Sequence, residues 1–299
     1  MTAQRMKIGL IGLGLMGRGI GRNLLAKGFP LAVLGHRNRV PVEDIVGRGA
    51  GEAASAAILA RDSDVVILCV TGSLEVEDLI LRPDGILAGC HPGLIVIDAS
   101  TSEPASTLKL AAALRAKGAE LIDAPLTRTP REAEAGRLNT LVGASPELLA
   151  RVRPVLAAYC ENIFHAGDLG SGHRLKLISN FLVTGTVALV AEAVVLARKT
   201  GINLKRLNEV IEAGPLANTL LRNVVPKAAE GLFDGLSFGL ANAQKDLRYY
   251  VHLSEGAGVA SPMGALAHQL FTQAVAHGFD DHLLASLIEA QAKINRVSL

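Results

Sequence analysis

The chain has 299 residues, of which 49% are hydrophobic and 19% are charged. This balance excludes a disordered chain and allows a sizeable core, which must be aliphatic because only 3% of residues are aromatic. The formal charge is +2 and there is no basic stripe, so we do not expect a nucleic-acid partner. The three cysteines are widely spaced and the histidines do not cluster, which predicts neither a metal site nor a disulfide framework and favours a reducing cytoplasm.

No targeting segment is predicted at the N-terminus, because its apolar stretch is too short for a signal peptide. The most membrane-like segment covers residues 181–197 and includes Glu192, which a bilayer would penalise. We therefore interpret this segment as a buried helix and expect no membrane partner.

The first half of the sequence alternates short β-branched runs with helical stretches. Strands are predicted at residues 7–11, 31–34, 64–70, 94–98 and 120–123, and helices at residues 15–26 and 108–117. The nearly continuous apolar run at 64–70 is typical of a strand covered on both faces. Alternating strands and helices predict βαβ units and a parallel sheet.

The second half is predicted to be helical almost throughout. A long first helix can run from His173 to Lys199, and glycines at 214, 231, 235, 256 and 278 break the later ones. The predicted fold class is α/β, with an N-terminal Rossmann-type doubly wound parallel sheet followed by an all-α C-terminal domain. We place the first domain at residues 1–165 and a substrate and dimerisation domain at 166–299, which starts with a long interdomain helix.

A glycine-rich turn follows the first predicted strand. Its residues are Gly12-Leu13-Gly14-Leu15-Met16-Gly17, which fit G-x-G-x-x-G in the required context between a strand and a helix. Gly12 would allow the tight turn, Gly14 would let the backbone approach a pyrophosphate, and Gly17 would let helix and strand pack closely. The helix N-terminus would face the phosphates with its partial positive charge. The motif therefore predicts a dinucleotide-binding domain.

The end of the second strand bears on the choice between NAD and NADP. An acidic residue there would bind the ribose 2′-hydroxyl, but this chain has Gly35, followed by His36, Arg37, Asn38 and Arg39. We predict that these residues contact a 2′-phosphate and that NADP is preferred, with NAD possible. The alternative is that the two arginines are solvated loop residues.

Further motifs follow in a fixed order along nearly the whole chain, from about residue 6 to about residue 295. They are the glycine motif with Asn23, Asp98-Ala99-Ser100-Thr101, Asp123-Ala124-Pro125-Leu126-Thr127-Arg128-Thr129, Gly170 to Asn180, and Phe238 to Leu247 with Lys245 and Asp246. Together they resemble the β-hydroxyacid dehydrogenase family, which includes 3-hydroxyisobutyrate dehydrogenase, tartronate semialdehyde reductase and the glyoxylate/succinic semialdehyde reductases. The resemblance implies an NAD(P)-dependent oxidoreductase.

The resemblance also implies roles for individual residues. Lys176 would be the catalytic acid/base, and Asn180, one helical turn later, would orient it or the substrate. Thr101 and Lys245 would contact the cofactor, and we add Val70 and Thr71 at the end of the third strand. A lysine can both donate and accept the proton if burial brings its pKa towards the working pH.

One motif departs from the family pattern. The family's D-A-P-V-S-G-G holds the substrate carboxylate, whereas this chain has Thr127 for the serine, and Arg128 and Thr129 for the two glycines. Thr127 keeps a hydroxyl for the carboxylate. Arg128 would either bind an acid group in bidentate fashion or point into solvent.

The resemblance thus implies hydride transfer between NAD(P) and a small 3-hydroxy acid or the matching semialdehyde or keto acid. The alternatives are an imine reductase on the same fold and a non-catalytic NADP-binding module. His173, beside the lysine, is a weaker candidate base, because the family has an ordinary polar residue there. We expect a cytoplasmic homodimer or homotetramer, as is usual in the family.

Overall fold

The structure of the chain is a computed structural model that describes residues 5–299. The chain divides after Lys176 into two compact units, here called the N-terminal unit and the C-terminal unit. The N-terminal unit holds the sheet, and the C-terminal unit is helical. The predicted fold class is confirmed.

The N-terminal unit is built on one sheet, whose first six strands are parallel. They are β1 Ile8–Ile11, β2 Leu31–Leu34, β3 Gly51–Ala53, β4 Val65–Leu68, β5 Ile95–Asp98 and β6 Glu120–Asp123. Their spatial order is β3-β2-β1-β4-β5-β6. This is the strand order of dinucleotide-binding sheets. In such sheets, ligands bind at the carboxyl ends of the strands, at the point where the strand order reverses, which here lies between β1 and β4.

The central strands form because their side chains are apolar on both faces. All four residues of β4 are fully buried, and β1 and β5 are buried along their whole length. One core covers each face of the sheet, and both are almost entirely aliphatic. Burial on both faces explains why these strands were visible in the sequence as unbroken apolar runs.

Three further strands extend the sheet beyond β6, and the sequence patterns did not predict them. They are β7 Leu126–Thr127, β8 Leu138–Gly143 and β9 Cys160–Gly167. β8 pairs antiparallel with β6 and β7 and parallel with β9. β9, near the edge of the sheet, is interrupted by the polar residues Glu161, Asn162 and His165, so it carries no continuous hydrophobic signal.

Seven helices join these strands in the described part of the N-terminal unit. They are α1 Gly17–Ala26, α2 Val40–Gly47, α3 Ala56–Arg61, α4 Ser73–Leu81, α5 Pro104–Arg115, α6 Pro130–Glu134 and α7 Pro146–Leu156. Proline in the first turn begins α5, α6 and α7, where its missing N–H has no intrahelical partner to lose. This explains why α5 begins at Pro104, four residues before the predicted start.

The remaining helices pack around an aliphatic core of their own. They are α8 Ser171–Lys199, which spans the division after Lys176, then α9 Leu204–Glu212, α10 Thr219–Ala229, α11 Leu240–Gly256, α12 Pro262–Ala276 and α13 Leu287–Ile294. The predicted glycine breaks are confirmed, since α9, α10, α11 and α12 each end within two residues of such a glycine. Gly231 and Gly278 have φ of +74° and +87°, a conformation that glycine adopts without strain.

Helix α8 is long and apolar enough to cross a membrane by length and composition, the one such helix among residues 5–299. Only 44% of its most apolar 18-residue window is buried. Glu192 lies exposed in its second half, and Val187, Ala191 and Val194 pack into the helical core. The core contacts are those expected of a globular protein's central helix.

Candidate active site

The glycine motif forms a loop between β1 and α1, here called the glycine loop, residues 12–17. Gly12 has φ of +97°, and a Cβ there would lie 2.2 Å from the carbonyl oxygen of Cys69. A Cβ on Gly17 would lie 1.8 Å from the carbonyl oxygen of Gly12. Neither position admits a side chain, so both glycines are required by the turn itself.

Gly14 differs from Gly12 and Gly17 because no heavy atom lies within 4 Å of the place where its Cβ would be. The open space faces the backbone just before α1, and Met16 provides no side-chain cap for this helix. A pyrophosphate placed there would meet backbone N–H groups and the positive end of the helix dipole. The residues present therefore fit the dinucleotide that the motif predicts.

At the end of β2 the side chains of His36, Arg37 and Asn38 are exposed. Arg39 forms a two-pronged ion pair with Glu52 on β3, with nitrogen–oxygen distances of 2.7 and 2.8 Å. These hydrogen bonds hold the pKa of the Glu52 carboxyl below its ordinary value. Both Arg37 and Arg39 are exposed, but the charge of Arg39 is compensated by Glu52 within the chain.

The ends of β4 and β5 are joined by a buried hydrogen-bond chain. The backbone N–H of Val70 donates to Ser100 Oγ at 3.0 Å, and the N–H of Ser100 donates to Asp98 Oδ1 at 2.9 Å. The hydroxyl of Ser102 donates to the other carboxylate oxygen of Asp98 at 2.7 Å. These bonds fix the backbone around two of the predicted cofactor contacts, Val70 and the half-buried Thr101; the third, Thr71, is exposed.

The loop after β6, here called the Pro125 segment, residues 123–129, contains a left-handed arginine. Arg128 has φ of +80°, the conformation that a glycine would adopt without strain. Its guanidinium donates to the carbonyl oxygen of Arg137 and forms an ion pair with Glu161 on β9. The side chain is therefore bound within the chain rather than free in solvent.

The residues on either side of Arg128 have different surroundings. Thr129 caps α6, where its hydroxyl and its N–H both donate to the carboxylate of Glu132. Thr127 is half-buried at the end of β7.

Asn23, on α1, connects that helix to α6, which follows the Pro125 segment. Its side-chain amide donates to the carbonyl oxygens of Ala133 and Glu134.

Asp123 connects the Pro125 segment to the helix that carries Lys176. Its carboxylate accepts hydrogen bonds from the backbone N–H groups of Gly170 and His173, both at 2.7 Å. Burial raises the pKa of Asp123, although the nearby His173 and these N–H donors oppose the shift. A carboxylate on β6 therefore caps α8, and it holds the first turn of this helix at the carboxyl ends of the parallel strands.

His173 is fully buried, so it cannot reach a substrate as a general base. Lys176 lies one turn further along α8 and is half-buried. Asn180, the residue predicted to assist it, follows on the same helix, four residues later.

In the C-terminal unit, Asn180 and Lys245 share one carboxylate. The Asn180 amide donates to Asp246 Oδ2 at 2.6 Å, and Lys245 Nζ lies 3.0 Å from Asp246 Oδ1. Lys245 also lies over the ring of Tyr249, 4.9 Å from its centroid. Asp246 is 3% exposed, so this buried carboxylate orients two predicted site residues at once.

Three aspartates of the site, Asp98, Asp123 and Asp246, had no role predicted from the sequence. Each lies inside one of the quoted motifs. Asp123 and Asp246 accept hydrogen bonds from residues 47 to 66 positions away in sequence, whereas Asp98 accepts them from Ser100 and Ser102 in the loop that follows β5. The only available signal was a carboxylate at the end of an apolar strand, in the case of Asp98 and Asp123. Among residues 5–299, no group of three or more histidine, cysteine or acidic side chains could hold a metal ion.

Two family models match the chain. The model for the NAD binding domain of 6-phosphogluconate dehydrogenase matches residues 7–167, and the model for the NAD-binding of NADP-dependent 3-hydroxyisobutyrate dehydrogenase matches residues 170–290. The 2-(hydroxymethyl)glutarate dehydrogenase of Eubacterium barkeri is 31% identical, covering 98% of this chain and 97% of that protein. The 3-hydroxyisobutyrate dehydrogenase of Pseudomonas aeruginosa is 36% identical, covering 89% and 91%.

The chain belongs to the β-hydroxyacid dehydrogenase family. This confirms the resemblance seen in the motifs, and the chain is an NAD(P)-dependent oxidoreductase of this family. A solved structure of Mycobacterium tuberculosis 3-hydroxyisobutyrate dehydrogenase with L-serine has a TM-score of 0.85 at 25% identity, covering 95% of this chain and 98% of that one. An imine reductase from Myxococcus stipitatus shares the fold at a TM-score of 0.64 and 20% identity, covering 96% and 99%.

Proposed function

We propose that this β-hydroxyacid dehydrogenase interconverts a small 3-hydroxy acid and the matching semialdehyde or keto acid, with Lys176 as the general acid/base. The observation that carries the proposal is the capping of α8 by Asp123. It holds the helix of Lys176 at the same sheet edge as the glycine loop and the Pro125 segment. Ligands bind at that edge in sheets of this strand order.

The proton chemistry follows from the position of Lys176. In reduction, its ammonium group donates a hydrogen bond to the substrate carbonyl oxygen and then transfers a proton as that oxygen becomes an alkoxide. In oxidation, the neutral amine accepts the hydroxyl proton. When bound, the nicotinamide takes up or supplies the hydride. Thr127 offers a hydroxyl to the substrate carboxylate, and Asn180 keeps its predicted orienting role.

The substrate proposal is tested by initial rates of NADPH oxidation with glyoxylate, succinic semialdehyde, tartronate semialdehyde and methylmalonate semialdehyde. We expect turnover of tartronate semialdehyde or methylmalonate semialdehyde, whose reduction gives 3-hydroxy acids. Glyoxylate and succinic semialdehyde, which give a 2-hydroxy and a 4-hydroxy acid, test whether the hydroxyl position differs. Failure with all four, while NADPH still binds, would reject a small carbonyl acid as substrate.

The Pro125 segment favours one alternative, an imine reductase. Imine substrates need no carboxylate pocket, and here Glu132 occupies the N–H and the hydroxyl of Thr129. A cyclic imine assayed with NADPH separates the two functions. Turnover of the imine without turnover of any acid would favour the alternative.

We further propose that NADP is the preferred cofactor. The support is an exposed Arg37 at the end of β2, where an acidic residue would select NAD. Arg37→Ala should raise the KM for NADPH about tenfold and leave the KM for NADH unchanged, since the arginine would contact only the 2′-phosphate. A wild-type KM that is lower for NADH than for NADPH would contradict the preference.

We propose a cytoplasmic homodimer or homotetramer as the assembly. Helix α8 exposes Leu175, Leu182, Leu189 and Leu196, which are spaced seven residues apart and so lie on one face. An exposed apolar stripe of this length is typical of an interaction surface. Sedimentation velocity should give at least a dimer, and Leu182→Glu together with Leu189→Glu should shift the protein towards the monomer.

A further inference from the structure

His173 is the one histidine of the described chain whose ring is fully buried, and the proposed reaction does not use it. Its Nδ1 lies 2.9 Å from the hydroxyl of Thr107 on α5. That hydroxyl donates to the carbonyl oxygen of Glu103 at 3.2 Å. With the hydroxyl proton on that carbonyl, Thr107 accepts the hydrogen bond from the Nδ1–H of His173.

The rest of His173 lies between the carboxylates at the ends of two strands. Its Nε2 is 3.7 Å from Asp98 Oδ2 on β5 and has no hydrogen-bond partner. Its Nδ1 is 3.9 Å from Asp123 Oδ2 on β6, the oxygen that accepts its backbone N–H. The ring therefore fills the space between α8, α5 and the ends of β5 and β6.

This placement connects the cofactor side of the N-terminal unit to the helix of Lys176. Asp98 accepts the N–H of Ser100, whose hydroxyl in turn accepts the N–H of Val70. Residues 173 and 176 are three apart, so they lie on neighbouring positions of one helical face. Any loosening of the first turn of α8 would displace Lys176 relative to Val70 and Thr101.

We propose that His173 is a positioning residue for Lys176, fixing the first turn of α8 against Thr107 and the strand-end carboxylates. The proposal rests on the proposed function, in which Lys176 exchanges the proton. His173 itself touches neither substrate nor cofactor. Displacements of about 1 Å at a reacting group can lower turnover on the order of 100-fold, so an indirect residue can have a large effect.

Two matched pairs of variants separate the contacts of His173. Thr107→Val removes the hydroxyl without changing the side-chain shape, and Thr107→Ser keeps the hydroxyl as its control. His173→Asn retains an N–H near the Nδ1 position, whereas His173→Leu retains apolar volume alone. We expect kcat to fall about tenfold in Thr107→Val and about 100-fold in His173→Leu, with the KM for NADPH unchanged. Thr107→Ser should match the wild type, and His173→Asn should retain more activity than His173→Leu.

A second readout does not depend on catalysis. Trace labelling with acetic anhydride, followed by mass spectrometry across a pH series, reports the nucleophilicity of Lys176 relative to Lys199 at the far end of α8. Thr107→Val and His173→Leu should change the relative labelling of Lys176 at least about threefold, because its surroundings set its reactivity. Lys199 and the thermal unfolding of Thr107→Val should stay close to the wild type.

The outcomes separate the two proposals. Unchanged Lys176 labelling in folded Thr107→Val and His173→Leu would overturn the positioning role, whatever happens to kcat. Changed labelling with unchanged kcat would also overturn it. If the labelling changes as expected but the wild type turns over none of the four acids, the proposed function fails, and the control of Lys176 by His173 is still demonstrated.

Discussion

The glycine loop and the Pro125 segment follow two strands of the same sheet, yet they tolerate side chains very differently. In the glycine loop, a Cβ on Gly12 or Gly17 would overlap a backbone carbonyl. In the Pro125 segment, Arg128 adopts φ of +80° although it has a Cβ. The left-handed conformation costs a non-glycine residue about 1–2 kcal/mol.

The difference separates two reasons for needing glycine. One is steric overlap of a Cβ with neighbouring backbone atoms, and the other is only the cost of a positive φ. Gly12 and Gly17 are held by neighbouring backbone, so no side chain can replace their hydrogens. Arg128 meets only a conformational cost, which its contacts with Glu161 and Arg137 partly offset. Two positions of the glycine loop therefore admit glycine alone, whereas in the Pro125 segment a residue with a side chain adopts a glycine-like backbone at Arg128.

The largest effect that tests this comparison is expected at Gly12. Gly12→Ala should destabilise the protein by about 2–4 kcal/mol, because the methyl group meets the Cys69 carbonyl and φ is +97°. Gly14→Ala is the matched control, with open space around the added methyl group. It should change the free energy of unfolding by less than about 0.5 kcal/mol.

The same pair of variants also tests cofactor binding. Gly14→Ala should weaken NADPH binding about tenfold or more, because the methyl group would occupy the space proposed for the pyrophosphate. Thermal unfolding without cofactor and fluorescence titration with NADPH measure the two effects separately. Equal destabilisation by both substitutions, or normal NADPH affinity in Gly14→Ala, would contradict the assignment of Gly12 to the turn and of Gly14 to pyrophosphate binding.

An intermediate effect is expected at Arg128. Arg128→Ala loses the ion pair and keeps the strain, whereas Arg128→Gly loses both. Arg128→Gly should therefore be the more stable variant by about 1 kcal/mol, measured by urea unfolding. If Arg128→Ala is as stable as Arg128→Gly, the positive φ has no measurable cost, and the conformational cost inferred for the Pro125 segment is contradicted.

The smallest effect concerns the thiol beneath the glycine loop. Burial, with the nearby Asp98 charge, raises the pKa of Cys69 to about 12, so its thiol stays neutral at pH 8. Alkylation by iodoacetamide should be far slower than for a free cysteine, and should accelerate only as the pH rises towards the raised pKa. Peptide mass spectrometry resolves Cys69 from Cys90 and Cys160. Rapid labelling of Cys69 at pH 8 in the folded protein would show that the loop opens.

The sequence predicted five of the six parallel strands, because each of these five is an apolar run. The sixth, β3, was missed, since its three residues include Glu52 and two of them are exposed. The bounds of β2 and β6 match the prediction, and the glycine motif lies where its pattern requires. β8 and β9 were missed, since residues at the edge of a sheet need no continuous apolar run. The local patterns could therefore locate the cofactor loop but not the full width of the sheet.

The candidate site was only partly predictable for a different physical reason. Motifs predict roles for Lys176 and Thr127. They do not reveal that the partners of Asp123 lie 47 and 50 residues away, or that Glu161 lies 33 residues from Arg128. Such contacts depend on strand order, which a local pattern does not reveal. The burial of His173 was unpredictable for the same reason, because the residues next to it in sequence do not show that α5 covers it.

The most direct test of the account is the turnover of Lys176→Met on whichever acid of the panel the wild type reduces, with Lys199→Met as a control on the same helix. The account predicts that kcat falls on the order of 100-fold or more in Lys176→Met, with NADPH affinity and thermal unfolding unchanged and Lys199→Met fully active. Retention of more than about a tenth of the wild-type kcat by folded Lys176→Met would contradict the assignment of Lys176 as the acid/base.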